Sequence, residues 1–327
     1  MPRRARRRIW CETVPLATLG APATVALLRR YDVHPIVAVW PETLAGTAAV
    51  AARFVDAGLQ PALWPMLADA DGRWIGAANA AAFCAFAERL AGELGAAEIV
   101  LDLEPPIEAV RKTLASHVLP AAAGPTAFRS ARARIEELTE RVRARGALVS
   151  AAVALPVLLD AAGGAPAWQA RLGTPVDGIA WDHVSPMLYT SILEGWSRGL
   201  LARRDVRALL AWSCTASAAR FGALAGASLG AVGTGAFGDE PTLRSPAELA
   251  DDVAVARAAG VDDLALFDLG GVLRRPPAEA WFEAFTGAAP AARLPAPTPR
   301  SRLALGSARV AGAAFALLLH RANVSGG

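Results

Sequence analysis

Three observations on the sequence predict an α/β fold and, within that class, a (β/α)8 barrel. Short apolar runs alternate eight times with alanine-rich segments of helical character. The eighth repeat ends near Gly287, within the span of roughly 250 residues or somewhat more that such barrels occupy. A run such as His34–Trp40 is apolar nearly throughout, as a strand covered on both faces requires. An open doubly wound sheet shares the alternation and is the competing architecture; eight repeats favour the closed ring.

Taken in order, Arg8–Leu16 reads as the first strand and Ala23–Tyr31 as its helix. His34–Trp40 is the second strand, and Thr47–Ala57 a helix ended by Gly58. Pro61–Leu67 is the third strand, and Ala77–Leu94 a long alanine-rich helix capped by Gly95. Glu98–Glu104 is the fourth strand, stopped by Pro105 and Pro106. Thr126–Arg145 is the next helix, closed by Gly146. Between them, Ile107–Gly124 is a longer excursion with some helical character, a length that suggests a lid or substrate wall. Leu148–Leu155 is the fifth strand, and Asp160–Thr174 is rich in Gly and Pro without a clear assignment. Gly178–Tyr189 reads as the sixth strand, Leu200–Phe221 as mainly helix, and Ser228–Thr234 as a glycine-rich seventh strand. Pro246–Ala259 is a helix with Ser245 as N-cap, Asp263–Leu269 the eighth strand, and Pro277–Phe285 the closing helix.

The expected organisation is therefore a basic tail at 1–8, one barrel domain at 9–287, a Pro/Ala-rich linker at 288–302 and an apolar tail at 303–327. In that tail, Leu303–Leu319 is interrupted by Gly306, Arg309 and Gly312 and falls short of the roughly 20 residues that span a bilayer. A docked helix or loose tail is the expectation, with membrane contact as the alternative.

Composition excludes several classes. With 327 residues, 54% hydrophobic, the chain is globular rather than disordered. The 33 basic and 30 acidic residues leave a net charge of +3, and Arg3, Arg4, Arg6, Arg7 and Arg8 hold the surplus, read as a solvated tail. The remainder is nearly balanced, so a nucleic-acid partner is not expected. Cys11, Cys84 and Cys214 are odd in number and far apart, which fits free thiols in a reducing compartment. The basic start runs straight into Trp10-Cys11-Glu12-Thr13 without an apolar stretch, so a cytoplasmic protein is expected. No zinc-type spacing or cofactor motif appears, and neither a metal nor a cofactor is expected.

In a barrel, residues at strand carboxyl ends carry the chemistry. Those are Glu12; Trp40 and Glu42; Trp64 and Asp69; Asp102 and Glu104; Asp182, Met187 and Tyr189; Thr234, Phe237 and Asp239; and Phe267 and Asp268. Asp102 and Glu104 alternate and so share one face of the fourth strand, with no lysine or arginine between Glu98 and Val110 to neutralise them. Two carboxylates so close do not both ionise easily, so one holds a proton as a general acid must. Acids interleaved with aromatic rings suit a sugar site, where rings stack on C–H faces and carboxylates bind hydroxyls. Of the features a phosphate site would use, the sequence offers Gly233-Thr234-Gly235. His183 next to Asp182 points to the opposite face, and Ser185 and Ser213 lack a nucleophile-elbow context.

Leu101-Asp102-Leu103-Glu104 resembles the last half of the D-x-x-D-x-D-x-E signature of the family-eighteen glycoside hydrolases, the chitinase-like barrels, where it also ends strand four. Asp177–Tyr189, closing in Met187-Leu188-Tyr189, resembles that family's strand six, which ends M-x-Y-D, and Leu148–Val153 is similar to its strand five. The resemblance implies Glu104 as general acid, Asp102 as its partner and Tyr189 as hydrogen-bond donor to a substrate acetamido group, whose own carbonyl is the nucleophile. It leaves Glu12, Trp40, Trp64, Asp182, Met187, Phe267 and Asp268 as candidate substrate contacts. A non-catalytic carbohydrate-binding barrel, and a lyase or isomerase holding a divalent metal on Asp102, Glu104 and Asp268, are the alternatives.

Overall fold

The computed structural model describes residues 6–116, 123–161, 163–287 and 293–325, with side chains up to residue 320. Arg3, Arg4, His117 and linker residues 288–292 lie outside the described residues.

Eight parallel strands close into a barrel in chain order, which rules out the open sheet. The elements are β1 (Arg7–Cys11), α1 (Leu16–Leu19), α2 (Pro22–Arg30), β2 (His34–Val39), α3 (Leu44–Asp56), β3 (Ala62–Pro65), α4 (Ala80–Leu94), β4 (Glu98–Leu103), α5 (Ile107–Ser116), α6 (Pro125–Ala144), β5 (Leu148–Ala154), α7 (Ala167–Leu172), β6 (His183–Met187), α8 (Thr190–Trp196), α9 (Arg203–Phe221), β7 (Gly226–Gly230), α10 (Pro246–Ala258), β8 (Asp263–Phe267), α11 (Leu269–Arg274), α12 (Ala278–Thr286) and α13 (Pro299–Ser325). By packing, the chain divides into two compact units: 1–38, 43–62 and 184–303 form the first, and 39–42, 63–183 and 304–327 the second.

In the first unit β1 pairs with β2 and with β8, and β8 with β7. The arginines read as a solvated tail help close this seam. Arg8 is buried and meets Asp263 at 3.1 Å, and Arg6 reaches the same carboxylate at 3.4 Å. Arg7 and Arg8, read as tail, thus belong to β1. Trp10 on β1 donates its Nε1–H to Ser228 Oγ on β7 at 3.2 Å, across β8, so this face of the three strands is the inside of the ring. Ser185 and Ser228 hydroxyls share a hydrogen bond at 3.0 Å, so the interior polar atoms satisfy one another. Outside the ring, Phe282 on α12 is fully buried and stacks on Tyr31 with ring centres 5.2 Å apart. Arg203, Thr190 and Asp252 form a largely buried triad: Arg203 Nη2 lies 2.7 Å from Asp252 Oδ1, and Thr190 Oγ1 donates to Asp252 Oδ2 at 2.5 Å.

In the second unit β4 and β5 pair in register along their length, from Glu98 opposite Leu148 to Leu103 opposite Val153. On α6, Phe128, Ala131, Ile135, Leu138 and Val142 recur at three- and four-residue spacing and are buried, as are Phe83, Ala87 and Leu90 on α4. Each large side chain so buried contributes about 2 kcal/mol of transfer energy. Pro125 opens α6 at a position where its missing N–H costs nothing, and Gly146, at φ 86°, follows its end.

The tail is helical, and its helix starts inside the stretch read as linker. α13 runs unbroken through Gly306, Arg309 and Gly312 for 27 residues. Thr298 and Ser301 cap its start reciprocally, Ser301 N–H donating to Thr298 Oγ1 at 3.0 Å and Thr298 N–H to Ser301 Oγ at 2.9 Å. A glycine costs a helix about 1 kcal/mol, which the surrounding Ala and Leu residues offset. Gly312 is also needed: a Cβ there would come 2.8 Å from Trp168 Nε1. Phe315 meets Trp168 edge-on at 5.1 Å, and the Arg171 guanidinium lies 5.3 Å from the Phe315 ring centre.

Candidate functional site

In a parallel ring each strand delivers its last side chains at its carboxyl end. In the second unit the candidate site is built on β4. All six strand residues are buried, Pro105 and Pro106 end the strand, and Glu98, Val100, Asp102 and Glu104 fall on one face. Ser150 on β5 donates to Glu98 at 2.5 Å and so accounts for the acid at the amino end of that face. Ala152 stands opposite Asp102, a small residue that leaves room for the carboxylate. Asp102 is 3% exposed, whereas Glu104, one step past the strand, is half-buried. The acid assigned the proton-donating role is thus the one nearer solvent.

The β3–β4 connection lies against this strand end. Ile75 pairs with Leu103 and donates its N–H to Asp102 O at 3.0 Å, and Gly76 packs so close to Glu104 O that a Cβ would stand 3.2 Å from it. Asn79 holds the connection, donating to the carbonyls of Asp71 and Trp74 at 2.8 Å each and accepting from Gly76 N–H at 3.0 Å. The excursion expected as a wall is α5 in its described part, and Arg111 ties it to Asp69 at 3.3 Å. A cavity of about 660 Å³ opens beside Pro106, lined by Asp69, Asp71, Asn79, Glu108 and Arg134; Asp102 and Glu104 are not in its lining.

In the first unit the alternation that puts Trp10, Ser185 and Ser228 inside the ring carries Glu12, Met187 and Phe267 to the rim on the same faces, since Ala265 pairs with Ser228. Tyr189 and Phe267 rings lie 5.3 Å apart. The loop after β7 closes over them: a Cβ on Gly235 would stand 2.8 Å from Phe267 Cζ and 3.2 Å from Glu12 Oε2. Gly235 is therefore a packing glycine; the Gly233-Thr234-Gly235 stretch precedes a loop rather than a helix and makes no helix-terminal anion site. The same loop places Phe237 edge-on to Trp196, ring centres 6.0 Å apart. Trp196 was not among the expected candidates, because the short α8 that carries it is too brief to show a period.

Two expected contacts are displaced. Asp182 precedes β6 at its amino end, accepting from Val149 N–H at 2.9 Å and lying 3.3 Å from Arg143; the strand starts at His183 and not at Gly178. Asp268 lies one residue past the end of β8. It is fully buried, caps α11 by accepting from Gly271 N–H at 2.8 Å, and accepts from Thr13 Oγ1 at 2.8 Å. Burial raises its pKa, against the hydrogen bonds from Gly271 and Thr13. Its carboxylate is thereby withdrawn from the metal set Asp102, Glu104 and Asp268, and among the described residues no three His, Cys, Asp or Glu side chains gather to hold an ion. Trp64 is 2% exposed and lies beside Val100, on the face that carries Asp102 and Glu104 farther along β4. Trp40, just past β2, is half-buried.

No family model matches the chain, and no curated protein matches it. Solved structures do. The PgaB (BpsB) glycoside hydrolase domain from Bordetella bronchiseptica is similar at a TM-score of 0.56 and 13% identity, over 86% of this chain and 99% of that one. PbGH5A, a glycoside hydrolase family 5 enzyme from Prevotella bryantii, is similar at 0.52 and 14%, over 86% and 96%. An L-ribulose 3-epimerase is similar at 0.46 and 15%, over 98% and 97%. At such identities the likeness is one of fold, an α/β TIM barrel.

Proposed function

We propose that this barrel acts on a carbohydrate or glycoconjugate, with Glu104 as general acid and Asp102 as the buried partner that orients it. The observation that carries the reading is the shared face of Asp102 and Glu104 at the carboxyl end of β4, with Glu104 alone at the solvent side. Two structural neighbours named as glycoside hydrolases support a sugar substrate. The family-eighteen kinship, and with it the donor role of Tyr189 toward an acetamido group, rests on the motifs of strands four and six. Loss of a positioned general acid costs roughly 10²–10⁴ in rate. Glu104→Gln should therefore abolish release of reducing ends from oligosaccharides of acetamido sugars while leaving the circular dichroism spectrum and melting temperature unchanged. Wild-type turnover retained in that variant would refute the assignment.

One observation favours a second reading, a barrel that binds sugar without cleaving it. Thr190 stands where the M-x-Y-D motif has its aspartate, and its hydroxyl is committed to Asp252 and Arg203. Binding of an oligosaccharide with no reducing ends released by the wild type would select this reading.

A further inference from the structure

The C-terminal helix has two unlike faces. Ala304, Leu305, Ala308, Ala311, Gly312, Phe315, Ala316 and Leu319 are half-buried at helical spacing, and this side carries the contact with Trp168. On the other side Leu303, Val310, Leu317 and Leu318 are 71%, 72%, 65% and 62% exposed, the largest group of exposed apolar side chains among the described residues. The first three recur every seven residues and therefore form one stripe. Pro299–His320 has a mean hydropathy of 1.5 over its most apolar window, of which 6% is buried. Arg302 and Arg309, each one residue before a member of the stripe, are exposed along its flank. From Ala284 onward the sequence contains no Asp or Glu, whereas Arg293, Arg300, Arg302, Arg309 and Arg321 all lie there. A chain with a net charge of +3 thus concentrates five arginines in the segment that carries its largest uncovered apolar stripe.

We infer that α13 is a membrane-surface helix that seats its Leu303–Val310–Leu317 stripe among the acyl chains of an anionic phospholipid bilayer, with its flanking arginines at the headgroups. Charge complementarity selects this occupant. In a symmetric pairing of two copies through the same stripe, Arg302 and Arg309 of one chain would approach those of the other, and like charges at an interface oppose association. Against phosphate headgroups the same arginines attract, with the apolar stripe supplying the penetration. Arg309 also falls at the middle of Pro299–His320, which opposes a bilayer-crossing placement and favours one lying in the surface plane. The reading is independent of what the barrel acts on.

The test is flotation of the full chain with vesicles of phosphatidylcholine containing about one third phosphatidylglycerol, and with vesicles of phosphatidylcholine alone. The wild type should float with the anionic vesicles and remain behind with the neutral ones, and about 1 M salt should weaken the binding by screening. Val310→Asp and Leu317→Asp alter exposed positions, so the fold and melting temperature should persist while anionic-vesicle binding falls roughly tenfold or more. Arg302→Glu with Arg309→Glu should lower it likewise. The inference is overturned if the wild type does not float, if it floats equally with neutral vesicles, or if Val310→Asp binds as the wild type does. It is also overturned if the vesicle-free protein is a dimer that Val310→Asp disperses, because the stripe then covers a second copy.

Discussion

Asp252 makes the stability of this protein depend on pH in a direction opposite to that of a surface carboxylate. Its side chain is buried, and burial lifts its pKa from the ordinary 3.8 to about 6, against the lowering effects of Arg203, the Thr190 hydrogen bond and Arg207. Between those two values the folded protein holds a proton that the unfolded chain has released. The stabilisation from this group is therefore complete below pH 3.8 and is lost as pH rises through 6. At about 1.4 kcal/mol for each tenfold change in acidity, the loss is about 3 kcal/mol. For 327 residues, with an unfolding entropy of about 2.1 cal/mol/K per residue, that is about 4 °C in Tm. Asp252→Asn deletes the titration. Thermal unfolding of wild type and variant, followed by circular dichroism from about pH 3.5 to about pH 7.5, should give Tm values whose difference moves by about 4 °C in the variant's favour as pH rises. Arg203→Met removes the guanidinium charge opposing the shift, so its inflection should move above that of the wild type. Parallel Tm curves for wild type and Asp252→Asn would refute the reasoning, since the two proteins differ in this one titrating group.

The three cysteines are buried, and burial raises the pKa of each, Cys84 to about 12. A thiol reagent at about pH 8 should label none of them in the folded protein and all three in guanidinium; prompt labelling of the folded protein would contradict the burial. Asp268→Ala removes the cap of α11 and the partner of Thr13, and should lower stability in urea by about 1–2 kcal/mol without changing the position of Phe267. An unchanged unfolding midpoint would show that the cap is dispensable.

The number and order of strands were legible because each is a short apolar run, and a closed ring covers those runs on both faces. Strand ends were not. Gly178–Trp181 is apolar enough to extend β6, yet Trp181 turns back to donate its indole N–H to Val176 O at 2.9 Å, and the ladder starts only at His183. Apolar side chains pack beneath a barrel as readily as within it, and a run of them does not record which. That error carried Asp182 to the wrong end of its strand. The pairing of Asp102 with Glu104 survived because it follows from alternation alone. Alternation does not reach Asp268, one residue past β8, and its role as the cap of α11 shows only in the geometry. Arg6 and Arg8 looked like tail because their partner, Asp263, is so distant in sequence. The glycines of α13 hid its continuity and not its helical character, and the reason for Gly312 is a tryptophan ring on a different element.

The seam between Arg8 and Asp263 joins residues 255 positions apart. On a ribosome adding about 5–20 residues per second, the first strand waits roughly 13–50 s before its neighbour β8 exists. Until then Ile9, Trp10 and Cys11 lack the neighbour on that edge, whereas β4 and β5 pair within the contiguous span 63–183. The edge of β1 that β8 covers therefore stays open until residues 263–267 have been made, and closure of the ring awaits that strand.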